Sequence, residues 1–91
     1  MIFVKRHREV LAACDEDLIG KKFEDRGLIL DIKESFYRGE IVSGDELGRM
    51  LADYSNISLV GEQTIKIAKR NKLVDKVGRI KGVPYAMIFK V

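Results

Sequence analysis

The stretch Asn56–Arg70 constrains the fold more than any other part of the chain. Its first part, residues 57–60, is a short and mostly apolar run, which predicts a strand covered on at least one face. Gly61 then supplies a residue that can adopt the positive φ of a sharp strand-to-helix turn. The apolar residues after Gly61 recur with helical spacing, so the stretch predicts a strand, a turn and a helix in succession.

The predicted helix after Gly61 has one apolar arc and one charged arc. The charged arc carries Lys66, Lys69 and Arg70. Glu62 falls in the first turn, where a carboxylate complements the helix dipole. Such a helix packs its apolar arc against a core and presents a mostly basic face to solvent.

The charges are distributed unevenly along the chain, although its formal net charge is only +3. Residues 15–54 carry eleven acidic and six basic residues, whereas residues 55–91 carry two acidic and eight basic residues. A basic half of this kind predicts an anionic partner. The alternative is that the two halves neutralise each other across the fold.

The remaining apolar runs predict a small sheet around these elements. Residues 1–6 and 10–14 are separated by a polar break, which predicts an antiparallel hairpin. Further strands are predicted over residues 28–32, 76–81 and 85–91. The last of them is largely apolar on both faces, so we expect it to lie inside the sheet.

A second helix is predicted over residues 44–54, because Ser43 and Glu46 form a capping box before an apolar stripe. A chain of 91 residues with one cysteine has room for one modest core and cannot form an internal disulfide. The expected fold is therefore a single α+β domain over residues 1–91. It combines a mixed sheet of about five to six strands with two principal helices.

The acidic segment after Cys14 has two interpretations. In the simpler one, Asp15 caps a single helical turn that ends at Gly20. The sharper one groups His7, Cys14, Asp15 and Asp17 into a metal or catalytic site. One histidine and one cysteine among hard carboxylates do not make a zinc site, and the neighbouring acids raise the thiol pKa. We therefore expect no metal and no cofactor.

Phe36 and Tyr37 are adjacent aromatic residues beside a cation and a glycine. Adjacent residues of a strand cannot both point inward, so we expect one of the two rings to be partly exposed. An exposed ring would serve as a stacking platform for a nucleobase. The alternative is that Phe36 fills the core and Tyr37 covers its edge.

Four pieces of the chain, in this order and spacing, resemble one known family. They are Ala13–Lys21, Phe36–Glu40, Asn56 with Leu59–Glu62, and Gly82–Ala86. This set resembles the small archaeal proteins grouped as domain-of-unknown-function family 424, and the resemblance covers nearly the whole chain. It implies an archaeal cytoplasmic protein and brings no established activity. That family often has histidine where this chain has Tyr85, which argues against a general base at this position.

The first functional hypothesis is an RNA-binding module that contacts phosphates through basic side chains. Its candidate residues are Lys66, Lys69, Arg70, Lys72, Arg79 and Lys81, with Lys5, Arg6 and Arg8 as further cations. Gly61 and the helix that follows offer another phosphate position, which Glu62 weakens. Phe36 and Tyr37 are the candidate stacking residues.

Two other hypotheses remain open. One is a protein-interaction or assembly subunit, including a homodimer, that pairs through an open sheet edge. The other is a small enzyme in which Asp15, Glu16 or Asp17 acts as an acid or base near Lys21. The sequence has no signal peptide and no apolar run long enough to span a membrane, so we expect a cytoplasmic protein without membrane contact.

Overall fold

A computed structural model describes residues 1–90 of the chain and confirms the predicted α+β class. Eight strands and three helices follow one another along the chain. Their bounds are β1 (Ile2–Arg6), β2 (Val10–Asp15), β3 (Lys22–Asp25), β4 (Leu28–Asp31), α1 (Glu34–Tyr37), β5 (Glu40–Val42), α2 (Gly44–Leu51), β6 (Asn56–Val60), α3 (Glu62–Arg70), β7 (Gly78–Ile80) and β8 (Val83–Phe89). A single 3₁₀ turn, Glu16–Leu18, follows β2.

Six of the strands form one mixed sheet in the order β5-β1-β2-β6-β8-β7, and β3 pairs with β4 in a separate hairpin. The pair β2 and β6 is parallel, with Leu11 opposite Ile57. The other neighbours in the sheet are antiparallel. The β7–β8 hairpin turns through Lys81 and Gly82, both at positive φ (54° and 81°). That is the conformation a two-residue turn of the primed type requires.

The two faces of the main sheet are covered to different extents. On the first face, α2 and α3 enclose a core that includes Leu11, Leu47 and Ile65. On the second face, α1 and the β3–β4 hairpin enclose a smaller core around Ile32 and Tyr37. These short elements leave part of the second face, near the end of β8, open to solvent. The two principal helices that the sequence predicted are α2 and α3, and both lie on the first face.

The short elements are where the sequence prediction and the structure differ. No strand was predicted before residue 28, where the structure has β3, and no element was predicted over residues 33–42, which contain α1 and β5. The predicted helix over 44–54 ends at Leu51, and the last strand covers 83–89 rather than 85–91. An element of three or four residues is too short to show a hydrophobic periodicity in the sequence. Such elements form because contacts with the rest of the fold hold them.

The Asp15 side chain connects the end of β2 to the start of α3. The 3₁₀ turn forms as predicted, but Asp15 makes no capping hydrogen bond to it, so that part of the prediction is wrong. Its carboxylate instead accepts hydrogen bonds from the backbone N–H of Gln63 (3.0 Å), the backbone N–H of Thr64 (2.8 Å) and the Thr64 hydroxyl (2.8 Å). A carboxylate at the positive end of a helix satisfies free N–H groups and the dipole together.

Gly61 is required at the start of α3 for two reasons. Its φ of 108° lies in the region that residues with a side chain rarely adopt. A Cβ atom there would also overlap the Asp15 carboxyl group. Because that carboxyl group already occupies the N-terminus of α3, the predicted phosphate position at Gly61 is wrong.

Replacing Asp15 by alanine should lower the free energy of unfolding by about 2 kcal/mol, because α3 loses its cap and the buried Thr64 hydroxyl loses its partner. Urea denaturation followed by circular dichroism measures the change. The matched control is Asp17→Ala, which removes an exposed carboxylate two residues away and should change stability little. Equal stability of the two variants would contradict the capping role.

Candidate nucleic-acid interface

The outer face of α3 carries three exposed cations. Ile65 and Ala68 are buried against the sheet, whereas Lys66, Lys69 and Arg70 are exposed on the other side of the helix. Residues three and four apart on a helix lie about 5–6 Å from one another. The three side chains therefore lie near one another, with Glu62 one turn before Lys66.

Lys72 extends this patch beyond the end of the helix. It lies in the turn after α3 at a φ of 59° and is exposed. None of Lys66, Lys69, Arg70 and Lys72 belongs to any of the four ion pairs within residues 1–90. We call these four residues the α3 patch. In the described part of the chain, no acidic side chain lies within 4.0 Å of the charged groups of these cations.

Arg79 and Lys81, the other two predicted phosphate contacts, lie elsewhere. The Arg79 guanidinium donates to the Glu62 carboxylate at 3.3 Å and 3.4 Å and to the Gly82 carbonyl at 3.0 Å, which places it beside the start of α3. Lys81 lies in the β7–β8 turn at the same end of the sheet. The six predicted residues thus form a group of four near the end of α3 and a group of two near its start.

Three acidic side chains lie near the α3 patch. Glu62 is one turn before Lys66 on α3, Asp75 lines a cavity with Lys69 and Lys72, and Asp45 is on α2. A groove of about 300 Å³ between α2 and α3 is lined by Asp45 and Arg49 from α2 and by Arg70 and Asn71 from α3. Asp45 makes no ion pair with Arg70 within 4.0 Å, and Arg49 adds a cation on the far side of the groove. Asp45, Glu62 and Asp75 therefore lie near the α3 patch, but none of them forms an ion pair with its four cations in the described part of the chain.

The two adjacent aromatic residues have different environments, and the buried one is Tyr37. Tyr37 is only 6% exposed, and its hydroxyl lies 3.0 Å from the Ser58 hydroxyl. Burial raises the pKa of Tyr37 above its ordinary value, which the Ser58 hydrogen bond partly opposes. Phe36 is half-buried and stacks on the His7 ring with 4.5 Å between ring centroids. Of the predicted stacking pair, only Phe36 therefore reaches the surface.

Phe36 borders a groove that the sequence did not predict. The groove has a volume of about 260 Å³ and lies on the open part of the second face. Met87 and Phe89 form its other side, and each side chain is 67% exposed. The prediction that β8 lies inside the sheet misses this exposure. β8 does have neighbours on both sides, but β7 covers only Val83–Tyr85.

The residues of the alternative catalytic or metal cluster are not brought together. His7 lies at the turn of the β1–β2 hairpin, where its Nε2 is 2.8 Å from the Phe36 carbonyl oxygen. Cys14 lies at the opposite end of β2, paired with Phe3. Asp15 is engaged with α3, while Asp17 is exposed. Within residues 1–90, no three His, Cys, Asp or Glu side chains are close enough to hold one metal ion.

The Cys14 thiol is buried and uncharged. Burial, together with the negative charges of Asp15 and Asp17, raises its pKa from 9.0 to about 12. The thiolate rather than the thiol is the nucleophile, so this side chain is poorly suited to nucleophilic chemistry at neutral pH.

In the described residues, no helix is both long enough and apolar enough to cross a membrane.

Comparison with known proteins identifies a family but no activity. The family model described as "Protein of unknown function (DUF424)" matches residues 4–91. The crystal structure of an uncharacterized conserved protein from Methanopyrus kandleri is similar to this chain, with a TM-score of 0.78 and 26% sequence identity. The alignment covers 99% of this chain and 93% of that one. None of the curated proteins compared with the chain matches it.

Native Cys14 should resist a thiol reagent such as Ellman's reagent at pH 8. Burial and the raised pKa should make the reaction at least about 100-fold slower than in denatured protein. The absorbance of the released thiolate, followed with and without guanidinium chloride, measures both rates. Rapid modification of the folded protein would show that the thiol is accessible and restore the nucleophilic alternative.

Proposed function

We propose that this chain, which belongs to the DUF424 family of proteins of unknown function, is an RNA-binding module that contacts phosphates through the α3 patch. The observation that carries the proposal is the set of four exposed cations, Lys66, Lys69, Arg70 and Lys72, with no ion pair to any described residue. Phosphate contacts of this kind supply affinity with little sequence specificity.

The cap at the start of α3 supports this assignment of roles. Because the Asp15 carboxylate satisfies the N-terminal N–H groups, the helix end is not available to an anion. Binding therefore depends on the side chains along the outer face and after the last turn. Arg79 and Lys81 act as a secondary group near the start of α3, where Arg79 must first release Glu62.

We place this activity in the cytoplasm of archaeal cells. The archaeal and cytoplasmic setting is what the family resemblance implies. A single free cysteine, Cys14, fits a reducing compartment.

A second candidate function, a protein-interaction or assembly subunit, is favoured by one specific observation. β7 pairs only with Val83–Tyr85, so the outer edge of β8 has no neighbouring strand from residue 86 to residue 89. On the opposite edge of β8, which faces β6, the Pro84 carbonyl accepts a hydrogen bond from the Gly61 N–H, and the Lys90 N–H donates to the Ser55 carbonyl. The backbone groups of Met87 and Phe89 alternate with these and point to the open edge. Such an edge is a template for a strand from another chain.

Fluorescence anisotropy with a labelled single-stranded RNA of mixed sequence tests the first proposal. We expect micromolar binding that weakens as salt rises. The Lys66→Glu/Lys69→Glu/Arg70→Glu variant should lose most of the binding. In a milder variant with glutamine at the same positions, three lost phosphate contacts should reduce the slope of log K against log salt by about 2.

The matched control is Lys21→Glu/Lys22→Glu/Lys33→Glu, which makes the same change in net charge at exposed positions near the β3–β4 hairpin. It should retain more of the binding than the α3 variant. Equal losses in the two charge-reversal variants would show that only net charge matters. Salt-independent binding would exclude phosphate contacts as its source.

Sedimentation equilibrium over a concentration series tests the second candidate. Pairing of two β8 edges should raise the average mass above the 10.4 kDa of one chain. Met87→Pro should abolish the association, because proline removes an N–H that points to the open edge and bonds to no described residue. A monomer mass at every concentration would exclude self-pairing.

A further inference from the structure

The groove on the second face has the composition of a site for a flat aromatic ring. Phe36 lies on one side, and the exposed side chains of Met87 and Phe89 lie on the other. Val10 contributes further apolar surface from β2. Its volume of about 260 Å³ is below the range of about 300–1,000 Å³ usual for drug-sized ligands, which suits one ring rather than an extended ligand.

Polar groups of β6 lie in the same groove. Asn56 and Ser58 are half-buried and line it, and they pair across the sheet with Phe89 and Met87 respectively. The Asn56 amide has donors and an acceptor, and a hydroxyl can act as either. Exposed bases of single-stranded RNA are recognised by aromatic stacking combined with hydrogen bonds to their edges. The groove offers both kinds of contact.

Cations occupy the same end of the sheet as the groove. β2 and β6 begin there and β8 ends there, because Val10 pairs with Asn56 and Asn56 pairs with Phe89. α3 lies on the first face and starts beside Asp15, at the other end of β2. It therefore finishes at the same end of the sheet as the groove, although on the opposite face. The segment after it, Leu73–Lys76, borders a cavity together with Met87 and Phe89.

The cations of this region flank the groove from two directions. Lys69 and Lys72 lie at the end of α3, next to Leu73 and Val74. Arg8 is exposed in the β1–β2 turn, two residues before Val10. Lys69, Lys72 and Arg8 outnumber the two exposed acidic residues beside them, Asp75 and Glu9, so an RNA strand that contacts the α3 patch meets net positive charge near the groove. This charge favours an anionic occupant over a neutral peptide.

We infer that the groove between Phe36, Met87 and Phe89 binds a nucleobase of the single-stranded RNA that the α3 patch holds by its phosphates. The inference rests on the proposed function and adds a base-stacking site on the opposite face of the sheet. Phe89 is the principal stacking residue, because it is 67% exposed at the rim of the groove. Phe36 is already stacked on His7 and forms the fixed side of the groove.

An oligoribonucleotide that carries the fluorescent base 2-aminopurine tests the inference with the full chain. Binding should quench the fluorescence of the base, since stacking on an aromatic ring changes its emission. Phe89→Ala should weaken binding by between about 5-fold and about 100-fold and abolish the quenching, as loss of one stacked base predicts. The salt slope should stay unchanged, because Phe89 contacts no phosphate.

Two further variants make the test specific. Phe89→Trp keeps a ring at the position and should retain both affinity and quenching. Ile29→Ala removes another exposed apolar side chain, 57% exposed on the β3–β4 hairpin against 67% for Phe89, and should behave as the unmodified chain. Circular dichroism of each variant confirms that the fold is intact, which is expected because Phe89 is not part of the core.

The outcomes separate the two proposals. If the glutamate variant of the α3 patch loses RNA binding while Phe89→Ala binds normally with full quenching, the groove inference is overturned and the proposed function stands. If no RNA binds even at low salt, both are overturned. If the unmodified chain is a dimer that Phe89→Ala converts to a monomer without affecting RNA affinity, the occupant is a second copy and the inference is overturned.

Discussion

The contact between the Asp15 carboxylate and the first turn of α3 holds the two halves of the fold in place. It joins residues 48 and 49 positions apart along the chain. β2 and β6 lie side by side in parallel, and the contact forms where both strands end. Gly61 makes the close approach feasible, because a side chain there would overlap the carboxyl group. These three features fix the start of α3, while Ile65, Ile67 and Ala68 hold the helix against the first face.

This contact also determines the electrostatic character of α3. The positive end of the helix is neutralised internally, and Glu62 is engaged by Arg79. The uncompensated charges are then those of Lys66, Lys69 and Arg70, which lie on the outer face because Ile65 and Ala68 must be buried. The same packing that stabilises the helix therefore exposes the cations on which the proposed function depends.

The second face of the sheet owes its open groove to the small size of the elements that cover it. α1 has four residues, and β7 has three. Together with the β3–β4 hairpin, these two elements enclose the smaller core around Ile32, Tyr37 and Cys14, but they do not reach the end of β8. Met87 and Phe89 are left exposed, although a domain of this size gains stability from every apolar side chain that it can bury. Their exposure is consistent with a binding role.

The sequence by itself determined the α+β class, the strand–glycine–helix unit at residues 56–70, the capping box of α2 and the basic face of α3. Each depends on the chemistry of residues that are near one another in the chain, and each leaves a local pattern. Only the tertiary structure decided that Asp15 caps α3, that Arg79 pairs with Glu62 and that Tyr37 rather than Phe36 is buried. The groove at Phe89 also depends on where β7 stops. These features depend on contacts between residues that are distant in sequence. Strand order and packing determine which of these residues come into contact, and no local periodicity indicates the contacts.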